Sequence, residues 1–306
     1  MKQKCVMRAT TMAQSAGHEK GEETRKNLPV YMGKSEYCYA NSAAMLLTSA
    51  GYLVSPATIE VLTGMGIGAT WIAATNFLFF DLSSPDVGIS RAFKALGYAV
   101  QETVQPALTP DPMPALIEAL RGGPVMLGPL SLGLLPYNPQ TLGEQGADHY
   151  VLAYAADADR ILLHDPWGFP CIPISVEALR QAWSARDIEY KRGCYRSWRG
   201  PQQMERPSSQ DLFDRAIAVI QEVYSQEEPL LQREGLATGS DALHQVANRF
   251  REGQMSEAGR EFLTDFSLPL AARRALDYSH FLAPHHPALA AIQAAKATTL
   301  GQCQAY

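Results

Sequence analysis

Residues 35–42 have the sequence Ser35-Glu36-Tyr37-Cys38-Tyr39-Ala40-Asn41-Ser42, which predicts the start of a helix. Ser35 is a favoured N-cap residue, and apolar residues recur behind it at helical spacing until Gly51. The pattern predicts a helix from Glu36 with Cys38 in its first turn. Because the N-terminus of a helix favours an anion, we expect a lowered pKa for the Cys38 thiol and a nucleophilic sulfur.

A second informative segment is a predicted β-hairpin. Residues 149–154 are rich in aromatic and β-branched side chains, and Ile161-Leu162-Leu163-His164 reads as the return strand before Asp165. Antiparallel pairing brings the start of the first strand to the end of the second. The sequence therefore predicts that His149 and Asp165 are neighbours in space.

These placements suggest covalent catalysis by a thiol. His149 is the candidate base for the proton of Cys38, and Asp165 is the candidate that orients the imidazole. Each residue also has a structural interpretation: the cysteine as a small core residue, the histidine as a strand cap and the aspartate as a turn residue. Competing bases are His164, which should face away from Asp165, and His18 in the N-terminal segment.

Composition narrows the class of protein. The chain has 306 residues, 46% hydrophobic and 19% charged, which is typical of a globular protein, and its net charge of −5 predicts no nucleic-acid binding. We see no apolar run long enough for a membrane span and no signal peptide, so we expect no membrane association. The five cysteines are widely spaced without a CxxC, which predicts no disulfide framework, no metal site and a cytoplasmic location.

The chain divides into three predicted parts. Residues 1–27 read as a flexible tail, 28–200 as a catalytic domain and 206–306 as a helical domain. The boundary is placed in the polar stretch 199–209, which contains two prolines. The glycine-rich segment 64–71 has no Gly-Lys-Ser/Thr, so we expect a flexible loop beside a cleft rather than a phosphate-binding loop.

Four short motifs resemble a known family. They are Tyr37-Cys38, Leu134-Leu135-Pro136-Tyr137, Asp148-His149-Tyr150-Val151-Leu152 and His164-Asp165-Pro166. Together they resemble the N-terminal domain of butirosin biosynthesis protein H-like proteins and, more widely, the papain-fold double-glycine peptidases of bacteriocin export. Residues 235–239 and 273–282 are similar to the helical domain that follows in such proteins. The resemblance implies an α+β fold of the papain-like type, with the cysteine helix packed on an antiparallel sheet and a helical domain behind it.

The resemblance also implies a reaction in secondary metabolism. An acyl group would pass from a thioester, on the phosphopantetheine of an acyl carrier protein or on CoA, through Cys38 to a small-molecule amine, with no cofactor besides this co-substrate. His149 would act as base and then acid, and Asp165 would orient it. Papain-like peptidases usually carry a glutamine before the cysteine as oxyanion donor, but residues 31–34 contain none. The candidate oxyanion or cleft residues are Ser35, Tyr37, Asn41 and Tyr137.

Two alternatives use the same fold. The first is a cysteine peptidase or amidase with the same triad, in which water is the second nucleophile. The second is a non-catalytic binding protein with an inert, buried Cys38. A closed cleft covered by the helical domain would favour transfer to an amine, whereas an open groove would favour peptide cleavage.

Overall fold

The computed structural model describes residues 28–33, 37–157 and 159–304. The predicted tail 1–27, with His18, lies outside these residues. So do the predicted cap Ser35 and the predicted first helical residue Glu36.

The first two thirds of the chain combine helices with an antiparallel sheet. The helices are α1 (Cys38–Ser49), α2 (Pro56–Thr63), α3 (Pro85–Ala95), α4 (Met113–Arg121) and α5 (Val176–Ser184). The strands of the main sheet are β3 (Tyr98–Gln105), β4 (Val125–Ser131), β5 (Asp148–Ala156), β6 (Arg160–Asp165), β7 (Phe169–Ser175) and β8 (Cys194–Gln203), in the order β3-β8-β4-β5-β6-β7. A short 3-10 helix, Leu132–Leu134, follows β4.

The last third is almost entirely helical, as expected. It contains α6 (Ser209–Glu222), α7 (Glu228–Arg233), α8 (Gly239–Arg251), α9 (Glu257–Glu261), α10 (Leu268–Leu282) and α11 (Pro287–Cys303). Two π-helical turns, Val223–Glu227 and Phe262–Ser267, interrupt the run. A short strand, β9 (Ala237–Thr238), joins β1 (Thr70–Ile72) and β2 (Phe77–Phe79) in a small sheet of order β2-β1-β9.

Helix α1 packs against the main sheet, and most of its residues belong to the hydrophobic core. Its small residues Ala40, Ala43 and Ala44 are fully buried, which lets the helix approach the strands closely. The Ser42 hydroxyl donates to the Tyr150 carbonyl of β5 at 3.1 Å. The structure therefore confirms the predicted class: α+β, with the cysteine helix packed on an antiparallel sheet and helices following it.

Several local predictions need correction. Helix α1 begins at Cys38, with Tyr37 at the N-cap, and not at Glu36. The sequence does not predict strand β7, because the strand contains two prolines. The strand is also irregular, since Cys171 has a positive φ. The alternating pattern of residues 190–198 predicts a strand there, but strand β8 begins at Cys194 and continues to Gln203, so the sheet extends past residue 200. The domain boundary itself stays a prediction.

The glycine-rich segment forms a largely buried turn rather than a flexible loop beside a cleft. Met65 and Ile67 are buried, and the Gly66 N–H donates to Asp81 Oδ1. Gly66 has a φ of 80°, and a Cβ there would lie 2.9 Å from Arg274 Cδ of α10. The segment is packed between the two predicted domains, which explains its need for glycine.

Candidate active site

Cys38 is the first residue of α1, where the backbone N–H groups of a helix have no intrahelical acceptor. The side chain keeps part of its surface exposed. The Tyr37 carbonyl accepts from both the backbone N–H and the side-chain Nδ2 of Asn41, at 2.8 and 2.9 Å. These two bonds fix the turn in which the thiol lies.

The hairpin β5–β6 brings His149 and Asp165 together. His149 Nε2 lies 2.7 Å from Asp165 Oδ1, and both side chains are fully buried. The two residues occupy the start of β5 and the end of β6, as the antiparallel pairing requires. The structure thus brings the predicted imidazole and carboxylate into direct contact.

The carboxylate of Asp165 is held by further donors. Its Oδ1 also accepts from the Trp167 N–H at 2.7 Å, and its Oδ2 accepts from the Tyr137 hydroxyl at 2.8 Å. Burial alone would raise the pKa of Asp165, but His149 and these donors bring it below its usual value. Asp165 is therefore an ionised acceptor, so His149 Nε2 carries a proton and donates it to the bond.

The other nitrogen of His149 is the one available for chemistry. Among the described residues, Nδ1 has no partner that meets strict hydrogen-bond geometry. The Cys38 thiol influences this ring, because hydrogen bonding and charge from Cys38 both raise the pKa of His149. Burial opposes protonation of His149, but Asp165 and Cys38 together hold its pKa well above the usual value. Nδ1 is thus a strong base beside the sulfur.

The pKa of the Cys38 thiol differs from the expectation. Burial raises it above its usual value, His149 lowers it and the nearby Asp148 raises it. The prediction of a lowered thiol pKa at the helix start is therefore wrong. His149, and not the helix terminus alone, is the group that favours the thiolate form of Cys38.

The competing base His164 is fully committed elsewhere. Its Nε2–H donates to the Pro29 carbonyl at 2.9 Å, and its Nδ1 accepts from the Cys171 N–H at 3.1 Å. Burial lowers the pKa of His164, so the ring stays neutral. Its side chain has no free lone pair to take a proton from Cys38.

The side chains suggested as oxyanion donors are engaged in other bonds. The Tyr37 hydroxyl donates to Asp277 Oδ2 at 2.8 Å, Asn41 donates to the Tyr37 carbonyl, and Tyr137 donates to Asp165. Ser35 lies outside the described residues. The backbone N–H of Cys38, at the first position of α1, remains a candidate donor to an oxyanion.

Sequence reasoning missed two supports of the site. Trp167 donates its N–H to Asp165, and its ring meets the His149 ring edge-on at a centroid distance of 6.1 Å. The Tyr31 hydroxyl donates to the Asp165 carbonyl at 2.9 Å and ties the segment before Cys38 to the hairpin end. The Asp-Pro-Trp-Gly turn signal marked this region, but it did not reveal which atoms meet.

The adjacent histidines His285 and His286 are only a weak match to a metal-binding pair, and both have structural partners. His285 binds Ser209 and Gln210, and His286 Nδ1 caps the Leu289 N–H of α11. In the described part of the chain, no group of three or more potential ligands could hold a metal ion. No helix in that part is long and apolar enough to span a membrane.

The fold and site define an α+β protein with a cysteine, a histidine and an aspartate joined around one buried imidazole. The uncharacterized protein YobF of Bacillus subtilis (strain 168) is 35% identical over 274 residues, which cover 90% of this chain and 88% of that protein. The chain therefore belongs to the YobF family. A family model for the YobF C-terminal domain matches residues 232–306, where we had expected a butirosin-type helical domain.

Two solved structures share part of the backbone course. The peptidase domain of Streptococcus ComA, a bifunctional ABC transporter involved in a quorum-sensing pathway, is 14% identical with a TM-score of 0.37 and covers 56% of this chain and 98% of its own. A C39-like peptidase candidate from Bacillus anthracis is 14% identical with a TM-score of 0.40 and covers 58% and 96%. Likenesses this remote carry no argument about the reaction, which has to come from this chain's own side chains.

Proposed function

We propose that this protein is a cysteine-dependent acyltransferase that works through an acyl-Cys38 intermediate. One observation carries the proposal. Asp165 occupies Nε2 of His149, which leaves a buried, basic Nδ1 for the Cys38 thiol. This is the relationship of nucleophile, base and orienting carboxylate that acyl transfer requires.

The first half of the reaction loads the enzyme. The Cys38 proton moves to His149 Nδ1, and the sulfur bonds to the carbonyl carbon of a thioester donor. The carbonyl electron pair moves to oxygen, where the Cys38 backbone N–H stabilises it. When the pair returns, the donor thiolate leaves and takes the proton from His149, and the acyl group remains on Cys38.

The second half returns the enzyme to its starting state. An amine attacks the acyl-Cys38 carbonyl and gives one proton to His149 Nδ1. The bond from carbon to sulfur breaks, and the Cys38 thiolate recovers that proton. The products are an amide and the free thiol, so no oxidant, reductant or metal is needed.

The surroundings of Cys38 support an amine rather than bulk water as acceptor. Both neighbours of Cys38 are buried, Tyr37 at 0% and Tyr39 at 3% exposure, and both form hydrogen bonds with α10. Restricted access of water protects an acyl-enzyme from hydrolysis. The donor would be an acyl carrier protein or acyl-CoA in the cytoplasm, and the acceptor a small amine of secondary metabolism.

A cysteine peptidase or amidase is the second candidate. It is supported by the part of Cys38 that stays exposed, through which water could reach the acyl group. The triad chemistry is the same, and only the second nucleophile differs. The two candidates therefore separate at deacylation, not at loading.

Intact-mass spectrometry with acyl-CoA and an acyl-N-acetylcysteamine thioester tests the proposal. We expect one acyl adduct on the wild type and on Cys194→Ala, a control at another partly exposed cysteine, and none on Cys38→Ala. An adduct that survives in Cys38→Ala would refute the assignment. Adduct loss that needs an added primary amine and yields amide indicates a transferase, whereas equal loss without amine indicates a hydrolase. No adduct from either thioester would favour the non-catalytic alternative.

A further inference from the structure

Tyr37, the residue before Cys38, is in contact with α10 of the C-terminal region. Tyr37 is fully buried, and its hydroxyl donates to Asp277 Oδ2 at 2.8 Å. The guanidinium of Arg273 lies 4.1 Å from the centre of the Tyr37 ring. One side chain of α10 thus binds the end of the ring and another covers its face.

The residue after the nucleophile is gripped by the same helix. The Tyr39 hydroxyl accepts from Arg274 Nη2 at 2.7 Å and donates to Glu60 Oε1 at 2.5 Å. Arg274 also donates from Nε to Glu60 at 2.7 Å and from Nη1 to Asp81 at 2.6 Å. All three of its nitrogens are used, and the side chain is only 3% exposed.

This arrangement fixes Arg274 tightly. A guanidinium is planar, so three bonds in different directions define both its position and its orientation. The backbone approaches closely as well, because a Cβ at Gly66 would lie 2.9 Å from Arg274 Cδ. Burial of Arg274 is compensated by two carboxylates, Glu60 and Asp81, within salt-bridge distance.

We propose that α10 positions the nucleophile, with Asp277 and Arg274 holding the hydroxyls of the two tyrosines that flank Cys38. Arg274 and Asp277 are three residues apart and lie on one face of α10. Tyr37 is the N-cap of α1, and Tyr39 lies in its first turn. Hydrogen bonds to the residues on both sides of Cys38 fix the orientation and position of that turn relative to His149.

The proposal gives the C-terminal region a role in the proposed reaction, on which it rests. Arg273, Arg274 and Asp277 all lie within residues 232–306, the part that matches the YobF C-terminal domain. Reaction rates respond strongly to displacements of about 1 Å between reacting groups. The two predicted domains therefore form one catalytic unit, in which Arg274 and Asp277 are positioning residues.

The test removes the hydrogen bond between Tyr37 and Asp277 from each side. Tyr37→Phe deletes the hydroxyl and Asp277→Ala deletes its acceptor, whereas Asp277→Asn keeps an acceptor oxygen. The matched control is Tyr278→Phe on the same helix, whose buried hydroxyl donates to the Val61 and Met65 carbonyls, away from Cys38. Circular dichroism verifies that each variant is folded.

We expect the maximal rate of acyl loading to fall about fivefold to tenfold in Tyr37→Phe and in Asp277→Ala, since one buried hydrogen bond is lost. The thioester concentration for half-maximal rate should stay the same. The maximal rate should be no lower in the double variant, Tyr37→Phe with Asp277→Ala, than in either single variant. Asp277→Asn should retain most of the wild-type rate. A wild-type rate in Tyr37→Phe, or an equal fall in Tyr278→Phe, would overturn the positioning role.

Alkylation of Cys38 by iodoacetamide separates this proposal from the proposed reaction. The charged and polar groups that influence the thiol are His149 and Asp148 of β5 and the Tyr150 backbone, and none of these variants removes them. If thioesters never load Cys38 but its alkylation still slows in Tyr37→Phe and Asp277→Ala, the positioning holds and the acyl transfer fails. If loading occurs and neither variant changes either rate, the positioning fails alone.

Discussion

His149 Nε2 and Asp165 Oδ1 are 2.7 Å apart, although the two residues are sixteen positions apart in the chain. The register of the hairpin explains the contact. Leu152 pairs with His164, so the start of β5 and the end of β6 lie side by side at the same end of the hairpin. A carboxylate placed there selects the tautomer of the imidazole that leaves Nδ1 free for the thiol.

The first prediction concerns Asp165→Asn. An amide can donate to Nε2 and so favours the tautomer with the proton on Nδ1, which is wrong for a base facing Cys38. We expect acyl loading to slow by roughly 10²-fold to 10⁴-fold with little loss of folded structure. Stopped-flow loading followed by mass spectrometry measures the rate. Asp157→Asn, at an exposed turn carboxylate, is the control, and an equal loss in both variants would contradict the role of Asp165.

The second prediction separates the two histidines of the hairpin. His149→Gln removes the proposed base, so we expect loading to fall at least about 100-fold. His164→Gln disturbs the bonds to the Pro29 carbonyl and the Cys171 N–H, so we expect about 1–3 kcal/mol less stability but a loading rate within about threefold of wild type. Urea unfolding and loading kinetics provide the two measurements. The opposite pattern would move the base to His164.

The hairpin and the cysteine could be predicted because their signals are local. Strand alternation, a turn and an antiparallel register are enough to bring His149 to Asp165. The start of α1 was placed two residues early because Ser35 resembles an N-cap, whereas Tyr37 occupies that position. Helix boundaries depend on tertiary contacts that a local pattern does not contain.

The contacts between the two halves could not be read from the sequence. Tyr39 and Arg274 are 235 positions apart, and no periodicity connects them. The same holds for Gly66, whose role depends on the passage of the Arg274 side chain rather than on a phosphate or a cleft. Sequence reasoning therefore placed the proposed reacting groups near one another and missed the contacts that hold them.

The third prediction concerns pH and the stability of the pair. The pKa of His149 is raised on folding, so its contribution is complete below about pH 6.5 and is lost as the pH rises through the folded value. The pKa of Asp165 is lowered, so its contribution is present above about pH 3.9 and is lost as the pH falls through the folded value. We expect the pair to stabilise most between about pH 4 and 6.5.

Denaturant unfolding of the wild type and of a double variant, His149→Gln with Asp165→Asn, checks this at pH 5, 7 and 8. The difference in unfolding free energy should be largest at the lowest of these values and should shrink as the pH rises. Both proteins contain Cys38, and only in the wild type does His149 lower the pKa of its thiol. A difference that grows with pH would contradict the charged pair.

The last prediction uses a pair of glycines to connect stability with the site. Gly66 and Gly253 both have a positive φ, 80° and 65°, but a Cβ at Gly66 meets Arg274 at 2.9 Å whereas one at Gly253 meets nothing within 4 Å. Gly253→Ala should therefore cost only the backbone strain, about 1–2 kcal/mol. Gly66→Ala should cost about 1–3 kcal/mol more, because Arg274 has to move in a packed interior. Since Arg274 holds Tyr39 beside Cys38, loading should slow in Gly66→Ala and stay unchanged in Gly253→Ala; equal loading rates in the two variants would show that the Arg274 contact does not reach the thiol.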